Sequence, residues 1–256
     1  MLARAIDTVR GRMAWLEAGA GWPVVLLHAF PLSAGMWRPQ LERVPEGWRF
    51  IAPQLFTAGR SSIDEYAAAV GDLMDALELD DAVIAGLSMG GYVAFAMYRQ
   101  APARFSGLVL ADTRPQADTA DGRAGRDRMR DVLARDGLPA IADRMLPALL
   151  SRDADPAVEA DVRRMIESAD PAAIDAALVA LRERPDSTAD LPYLSCATLV
   201  VVGERDTITP VADAQAMQRA IPRSTMTVIP GAAHLSNLEQ PDAFSRTLAD
   251  FLLARL

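Results

Sequence analysis

Lysine is absent from this chain, whose 26 basic residues are all arginine. Every mechanism that needs a lysine amine is thereby excluded, Schiff-base chemistry and a Walker-type phosphate loop among them. Cysteine is nearly absent as well. The one residue, Cys196, cannot form an internal disulfide and reads as a buried packing residue. Two histidines, His28 and His234, are too few for a structural zinc site, and no metal or cofactor is expected. Positive charge is in deficit. The formal net charge is −8 and the pI ≈ 4.9, which argues against nucleic acid or an anionic membrane as partner, since both attract basic patches. Long apolar runs are missing too. VVLLHAF falls far short of the roughly 20 residues that span a bilayer. The opening MLARAIDTVRGRMAWLEAG alternates polar and apolar residues and lacks the apolar region and cleavage site of a secretion signal. These absences predict a soluble, cytoplasmic protein with a small neutral or weakly charged partner.

What is present is a core. With 256 residues and 51% hydrophobic content, the chain can bury the interior of one globular domain. Short apolar runs alternate with amphipathic helical segments, the pattern of a mostly parallel α/β sheet with helices on both faces. Residues 4–9 and 12–17 read as opening strands joined by a turn at Gly11. Further strands are expected at 24–28, 48–53, 82–86, 105–111, 198–202 and 225–229. Helices are expected at 63–77, from Ser88 to about Gln100, at 211–220 and from Pro241 to Arg255. From residue 116 to 190 the apolar runs vanish, and Arg, Asp, Ala and Met recur at helical spacing. That segment is expected to be an inserted helical cap, bounded by the loop-like stretches DTRPQADTADGR and RPDSTADLP. Residues 1–115 and 191–256 would form the core.

Ser88 lies in Gly86-Leu87-Ser88-Met89-Gly90, directly after the apolar run AVIA and at the start of a helical segment. A G-x-S-x-G match is weak alone, and a helix N-cap serine is its plain alternative. The strand-to-helix context is what a nucleophile elbow requires. A serine hydroxyl needs a base, and only His28 and His234 are available. His234 follows the last strand in the loop PGAAHLSNLEQP, so position and chain order favour it. The base in turn needs an acid at a strand end. Asp206, in VVVGERDTITP, meets that requirement, and Asp112, ending LVLAD, is its rival.

The stretches HAFPLS, GLSMGG, GERDTITP and PGAAHLSNLEQP, in this order, give the chain a resemblance to serine hydrolases of the α/β-hydrolase superfamily along its whole length. It looks most like bacterial arylesterases, cofactor-free perhydrolases and 3-oxoadipate enol-lactonases. The resemblance implies that Ser88 attacks, that His234 is base and then acid, and that Asp206 orients His234. It also implies an oxyanion hole made by the backbone N–H groups of Phe30 and Met89, and a loop-shaping role for His28. Two stretches depart from the family. His28-Ala29 stands where His-Gly is usual, and Gln54 to Ser61 replaces the usual Asp-x-Arg-Gly-x-Gly-x-Ser.

The expected function is hydrolysis of small, fairly apolar esters through a Ser88 acyl-enzyme. Phe30, Met129, Met145 and Met165 would line the pocket, the methionines offering adaptable apolar surface, although ordinary helix packing accounts for each methionine singly. Between residues 118 and 190 there are 16 acidic residues against 11 arginines, which weakens an enol-lactonase reading with its anionic substrate. Two alternatives share or dispense with the chemistry: transfer of the acyl group to peroxide or an alcohol, for which Pro31 after Phe30 resembles perhydrolase-like loops, and a non-catalytic small-molecule receptor. Nothing in the sequence sets an oligomeric state.

Overall fold

A computed structural model of the chain describes residues 1–56 and 59–254. Its strands are β1 (Leu2–Thr8), β2 (Gly11–Gly19), β3 (Trp22–Leu27), β4 (Trp48–Pro53), β5 (Ala82–Leu87), β6 (Phe105–Ala111), β7 (Thr198–Gly203) and β8 (Ser224–Ile229). Among the described residues they form one sheet in the order β1-β2-β4-β3-β5-β6-β7-β8. The β1–β2 and β2–β4 pairings are antiparallel, and every later pairing is parallel. Parallel strands covered on both faces read as unbroken apolar runs, and β5 and β7 are buried along their whole length.

The helices are α1 (Arg38–Leu41), α2 (Ile63–Ala76), α3 (Met89–Gln100), α4 (Ala120–Leu149), α5 (Pro156–Glu167), α6 (Pro171–Arg182), α7 (Val211–Ala220), α8 (Ser236–Glu239) and α9 (Pro241–Leu253). The start of α2 is written in SSIDE: Ser62 Oγ accepts from Glu65 N–H at 3.1 Å, and Glu65 Oε2 accepts from Ser62 N–H at 3.0 Å, a reciprocal capping box. Among the described residues, no helix is long and apolar enough to cross a membrane.

The expected elements are found with shifted ends. The hairpin turn falls at Val9 and Arg10, and Gly11 opens β2 with φ 105°. The polar stretch DTRPQADTADGR already holds the start of α4, because Thr119 Oγ1 accepts from Gly122 N–H at 3.1 Å. α4 breaks at Gly137, where φ is 76° and ψ −171°, just before Pro139. The last helix ends at Leu253, and Arg255 lies outside the described residues.

The helices α4, α5 and α6 are inserted between β6 and β7, and their apolar faces, including Ile141, Leu146, Val162, Ile174 and Leu178, join the same core as the sheet. Arg184 fastens this insertion. It is 3% exposed, its guanidinium lies 4.4 Å from the centroid of the Tyr92 ring on α3, and it pairs with Asp118 Oδ1 at 2.6 Å. Burial opposes ionisation of Asp118, yet the bonds from Arg126 and Arg184 outweigh it and hold the carboxyl below its ordinary range.

His28, at the end of β3, ties two segments together. Its Nε2 accepts from Leu55 N–H at 2.9 Å, so Nδ1 carries the proton and donates to Ala29 O at 3.0 Å. The Phe56 ring meets it edge-on at 4.7 Å. Burial, partly offset by the bond to Ala29, lowers the imidazole from its ordinary 6.5 to about 4.

Removing the Arg184 guanidinium strips the half-buried Asp118 carboxylate of one of its two arginine partners and uncovers the Tyr92 ring, and Arg184→Ala is expected to cost about 2 kcal/mol. Urea unfolding at unchanged m-value measures this, and a loss below about 1 kcal/mol would show the pair to be dispensable. For His28 the unfolded state takes up protons between pH 6.5 and 4 that the folded state refuses, so its contribution is present above pH 6.5 and is lost as pH falls. The stability difference between the parent and His28→Gln is therefore expected to shift by about 3 kcal/mol against the parent from pH 7 to pH 4. A difference independent of pH would contradict a neutral buried His28.

Candidate active site

In an open sheet, ligands gather where the carboxyl ends of adjacent strands lead their connections in opposite directions. β3 and β5 are such a pair. From β3 the chain turns toward β4, and from β5 it passes through α3 toward β6. Leu27 pairs with Gly86, so Phe30 and Met89 each lie three residues beyond one pair of registered residues, on the two sides of that crevice.

Ser88 occupies the turn from β5 into α3 with φ 55° and ψ −115°, a conformation that residues with a Cβ adopt at a cost. The turn closes only because its neighbours lack side chains. A Cβ on Gly86 would overlap the Gly90 carbonyl, and one on Gly90 would overlap the carbonyl of Leu27. Ser88 N–H donates to Ala111 O at 2.9 Å, and Ser88 O accepts from Thr113 Oγ1 at 2.8 Å. Met89 opens α3, so its N–H belongs to the first turn, whose amides have no intrahelical acceptor.

The structure brings Ser88, His234 and Asp206 together. His234 Nε2 lies 2.8 Å from Ser88 Oγ, and His234 Nδ1 lies 2.8 Å from Asp206 Oδ2. Asp206 is buried. Desolvation works against its charge, but the hydrogen bond from His234, followed by the bonds from Thr209, outweighs it and places the carboxyl below its ordinary range. With Asp206 ionised, His234 donates from Nδ1, and Nε2 is left to accept from the serine hydroxyl. A hydroxyl so placed can pass its proton to the imidazole as it attacks an electrophilic carbon.

Thr209 escapes a sequence reading focused on acid and base. Its Oγ1 donates to Asp206 Oδ2 at 2.5 Å and its N–H to Oδ1 at 3.0 Å, while Ile208 N–H donates to Oδ1 at 2.8 Å. The spacing D-T-I-T carries the signal, since an aspartate commonly takes backbone amides two and three residues on. Asp112, the rival acid, does not reach His234. Its Oδ2 accepts from Ser236 Oγ and its Oδ1 from Gly203 N–H.

The loop after β3 is held from three sides. Ala29 N–H points at Met36 Sδ (3.2 Å), Leu32 N–H donates to Ala29 O (2.9 Å), and Ala34 N–H donates to Gln54 Oε1 (3.0 Å). Ala29 does not adopt a positive φ, so the alanine in place of glycine carries no backbone strain. In the atypical stretch 54–61, Gln54 and Leu55 bond to this loop and to His28; Thr57 and Ala58 lie outside the described residues. Asn237 Nδ2 donates to Met36 O at 2.9 Å and to Gln40 Oε1 at 3.2 Å, which joins the His234 segment to the Phe30 segment.

Of the apolar residues read as pocket lining, Phe30 is buried and Met165 Sδ sits against Gly35, in the turn that follows Phe30. Met129 and Met145 pack half-buried against the core. A cleft of about 870 Å³ lined by Trp22, Trp48 and Phe105 lies at the opposite, amino-terminal ends of the strands.

Comparison with known proteins supports this architecture. A solved thermophilic esterase from Thermogutta terrifontis is 37% identical, with 100% of this chain and 99% of that one covered at a TM-score of 0.94. The 3-oxoadipate enol-lactonase 1 of Acinetobacter baylyi is 27% identical over 90% of this chain and 88% of its own length. The pimeloyl-[acyl-carrier protein] methyl ester esterase of Nitrosomonas europaea is 29% identical over 88% and 94%. Residues 24–247 match the Alpha/beta hydrolase family. That match runs from β3 into α9 and so takes in every element that carries the site, and the chain belongs to the alpha/beta hydrolase family.

Proposed function

We propose that this hydrolase cleaves small, fairly apolar carboxylic esters through an acyl-enzyme on Ser88. The observation that carries the reading is the unbroken relay from Ser88 Oγ through His234 to Asp206, 2.8 Å at each step. Ser88 Oγ adds to the ester carbonyl as His234 Nε2 takes its proton. The carbonyl oxygen becomes an oxyanion facing the amides of Phe30 and Met89, each such donor being worth about 3 kcal/mol to the transition state. Collapse expels the alkoxide, which receives the proton from His234. Water, deprotonated by the same nitrogen, then releases the acid and restores Ser88.

In this reading Asp206 orients His234 and stabilises the imidazolium, and Thr209 holds Asp206 in place. Residues 116–190 act as a cap over the crevice, and residues 1–115 with 191–256 form the core that carries the chemistry. Phe30 and Met165 border the acyl site, with Met129 and Met145 further along the cap. The partner is a small-molecule ester, and the reaction needs no cofactor.

A lactone is a cyclic ester and passes through the same steps. Similarity to an enol-lactonase favours that second reading. For an anionic lactone, the buried arginine of the inserted segment would have to be available, and Arg184 is committed to Asp118 and the Tyr92 face. Neutral lactones therefore fit better than anionic ones.

Turnover of p-nitrophenyl esters from acetate to dodecanoate, by the parent and by Ser88→Ala, tests the proposal. The parent is expected to prefer short chains, and the variant to lose nearly all activity; a parent inert across the series would sink the ester reading. Asp206→Asn, which permits the wrong imidazole tautomer, is expected to lower kcat by about 10⁴ with the fold intact. A loss of tenfold or less would remove Asp206 from the relay.

A further inference from the structure

Asp112 is a buried ionisable group that the proposed reaction leaves unused. It directly follows β6 with no exposed surface and with φ 43°, in the left-handed region that residues bearing a Cβ seldom occupy. Its N–H donates to Val201 O at 2.9 Å, which extends the β6–β7 ladder. Both carboxyl oxygens are engaged. Oδ1 accepts from Gly203 N–H at 2.7 Å, and Oδ2 accepts from Ser236 Oγ at 2.5 Å.

Those two partners are not arbitrary. Gly203 is the last residue of β7, three before Asp206, and Ser236 lies two beyond His234. The chain bearing His234 also passes directly over Gly203, where the carbonyls of Ala232 and Ala233 leave no room for a Cβ. One side chain thus grips the stems of both loops that bring acid and base together. We propose that Asp112 is a positioning residue for the Ser88 reaction, a hydrogen-bonding clasp that sets His234 against Asp206 without contributing a charge.

The surroundings agree with a neutral clasp. Burial first, and then the charge of neighbouring Asp206, push the Asp112 carboxyl well above its ordinary range. A carboxylic acid keeps both bonds, since the contact between Oδ2 and Ser236 Oγ can be made with either oxygen as donor. A second ionised carboxylate here would instead repel Asp206. The inference rests on the Ser88, His234 and Asp206 reading above.

The test compares Asp112→Gly, Asp112→Asn and Ser236→Ala with the parent, by kcat and KM on a short p-nitrophenyl ester. Titration with an organophosphate counts competent serines, and thermal unfolding follows the fold. Asp112→Gly relieves the positive φ but removes the clasp. It is expected to lower kcat per competent site by about 10- to 100-fold with KM within about threefold, the scale of a small misplacement of reacting groups. Asp112→Asn, whose amide accepts from Gly203 and donates to Ser236, is expected to restore most of that loss. If Asp112→Gly does not fold, Ser236→Ala carries the test, with a smaller fall in kcat at unchanged KM. Three results would each overturn the clasp: Asp112→Asn as damaging as Asp206→Asn, which would make Asp112 a working charge; Asp112→Gly at parental kcat; or Ser236→Ala at parental kcat. Full turnover by Ser88→Ala would overturn the nucleophile assignment, and it is read independently of the other variants.

Discussion

The site depends on one strained turn. Ser88 is held at a positive φ between a buried strand and the first turn of α3, and that conformation lifts its hydroxyl out of the strand line toward His234. The strain persists because the surroundings over-determine it: Gly86 and Gly90 let β3, β5 and α3 approach closely, while Ala111 and Thr113 fix the Ser88 backbone. Loosening any of these contacts would let the serine relax to an ordinary helix cap, and the relay would part at its first link.

Around that turn, the remaining parts come from strand ends that the parallel sheet aligns along one edge. β3 delivers Phe30, β5 delivers Ser88 and Met89, β6 delivers Asp112, β7 delivers Asp206 and the segment after β8 delivers His234. Two carboxyl groups follow neighbouring strands, yet they have different surroundings. Asp206 gathers an imidazole, a hydroxyl and two amides that favour its charge, whereas Asp112 sits deeper, where burial and the nearby Asp206 charge favour its neutral form. Environment, more than residue type, separates the group bonded to the histidine from the group that holds its loop.

Much of this was legible in the sequence. Buried parallel strands leave unbroken apolar runs, so the strand positions could be read from AVIA, LVLA and TLVVV, and the serine from its place between glycines after such a run. Proximity across the sheet was harder. Asp112 and Asp206 both end apolar runs, and only the three-dimensional path of the His234 segment separates their partners. The thioether of Met36 against Ala29 and the amide of Asn237 on Met36 are contacts between segments about 200 residues apart or between groups with no periodic signature, and no local pattern announces them. The break at Gly137 was hidden because helical spacing continues on both sides of it. Arg184 looked like one more charge in a loop, since burial of an arginine is decided by the ring and carboxylate that receive it.

The absence of lysine acquires a meaning once the ion pairs are placed. Arg184 with Asp118 ties together the two ends of the inserted segment, and the Arg184 face on Tyr92 and the pair of Arg99 with Asp190 join that segment to α3. A guanidinium is planar and presents several donors in a fixed fork, where an ammonium is a compact point charge. The fastening of the inserted helices thus rests on the fork and the face of one guanidinium: Arg184 donates to Gln116 O and Leu181 O, pairs with Asp118 and lies on the Tyr92 ring, a combination that the point charge of an ammonium does not offer.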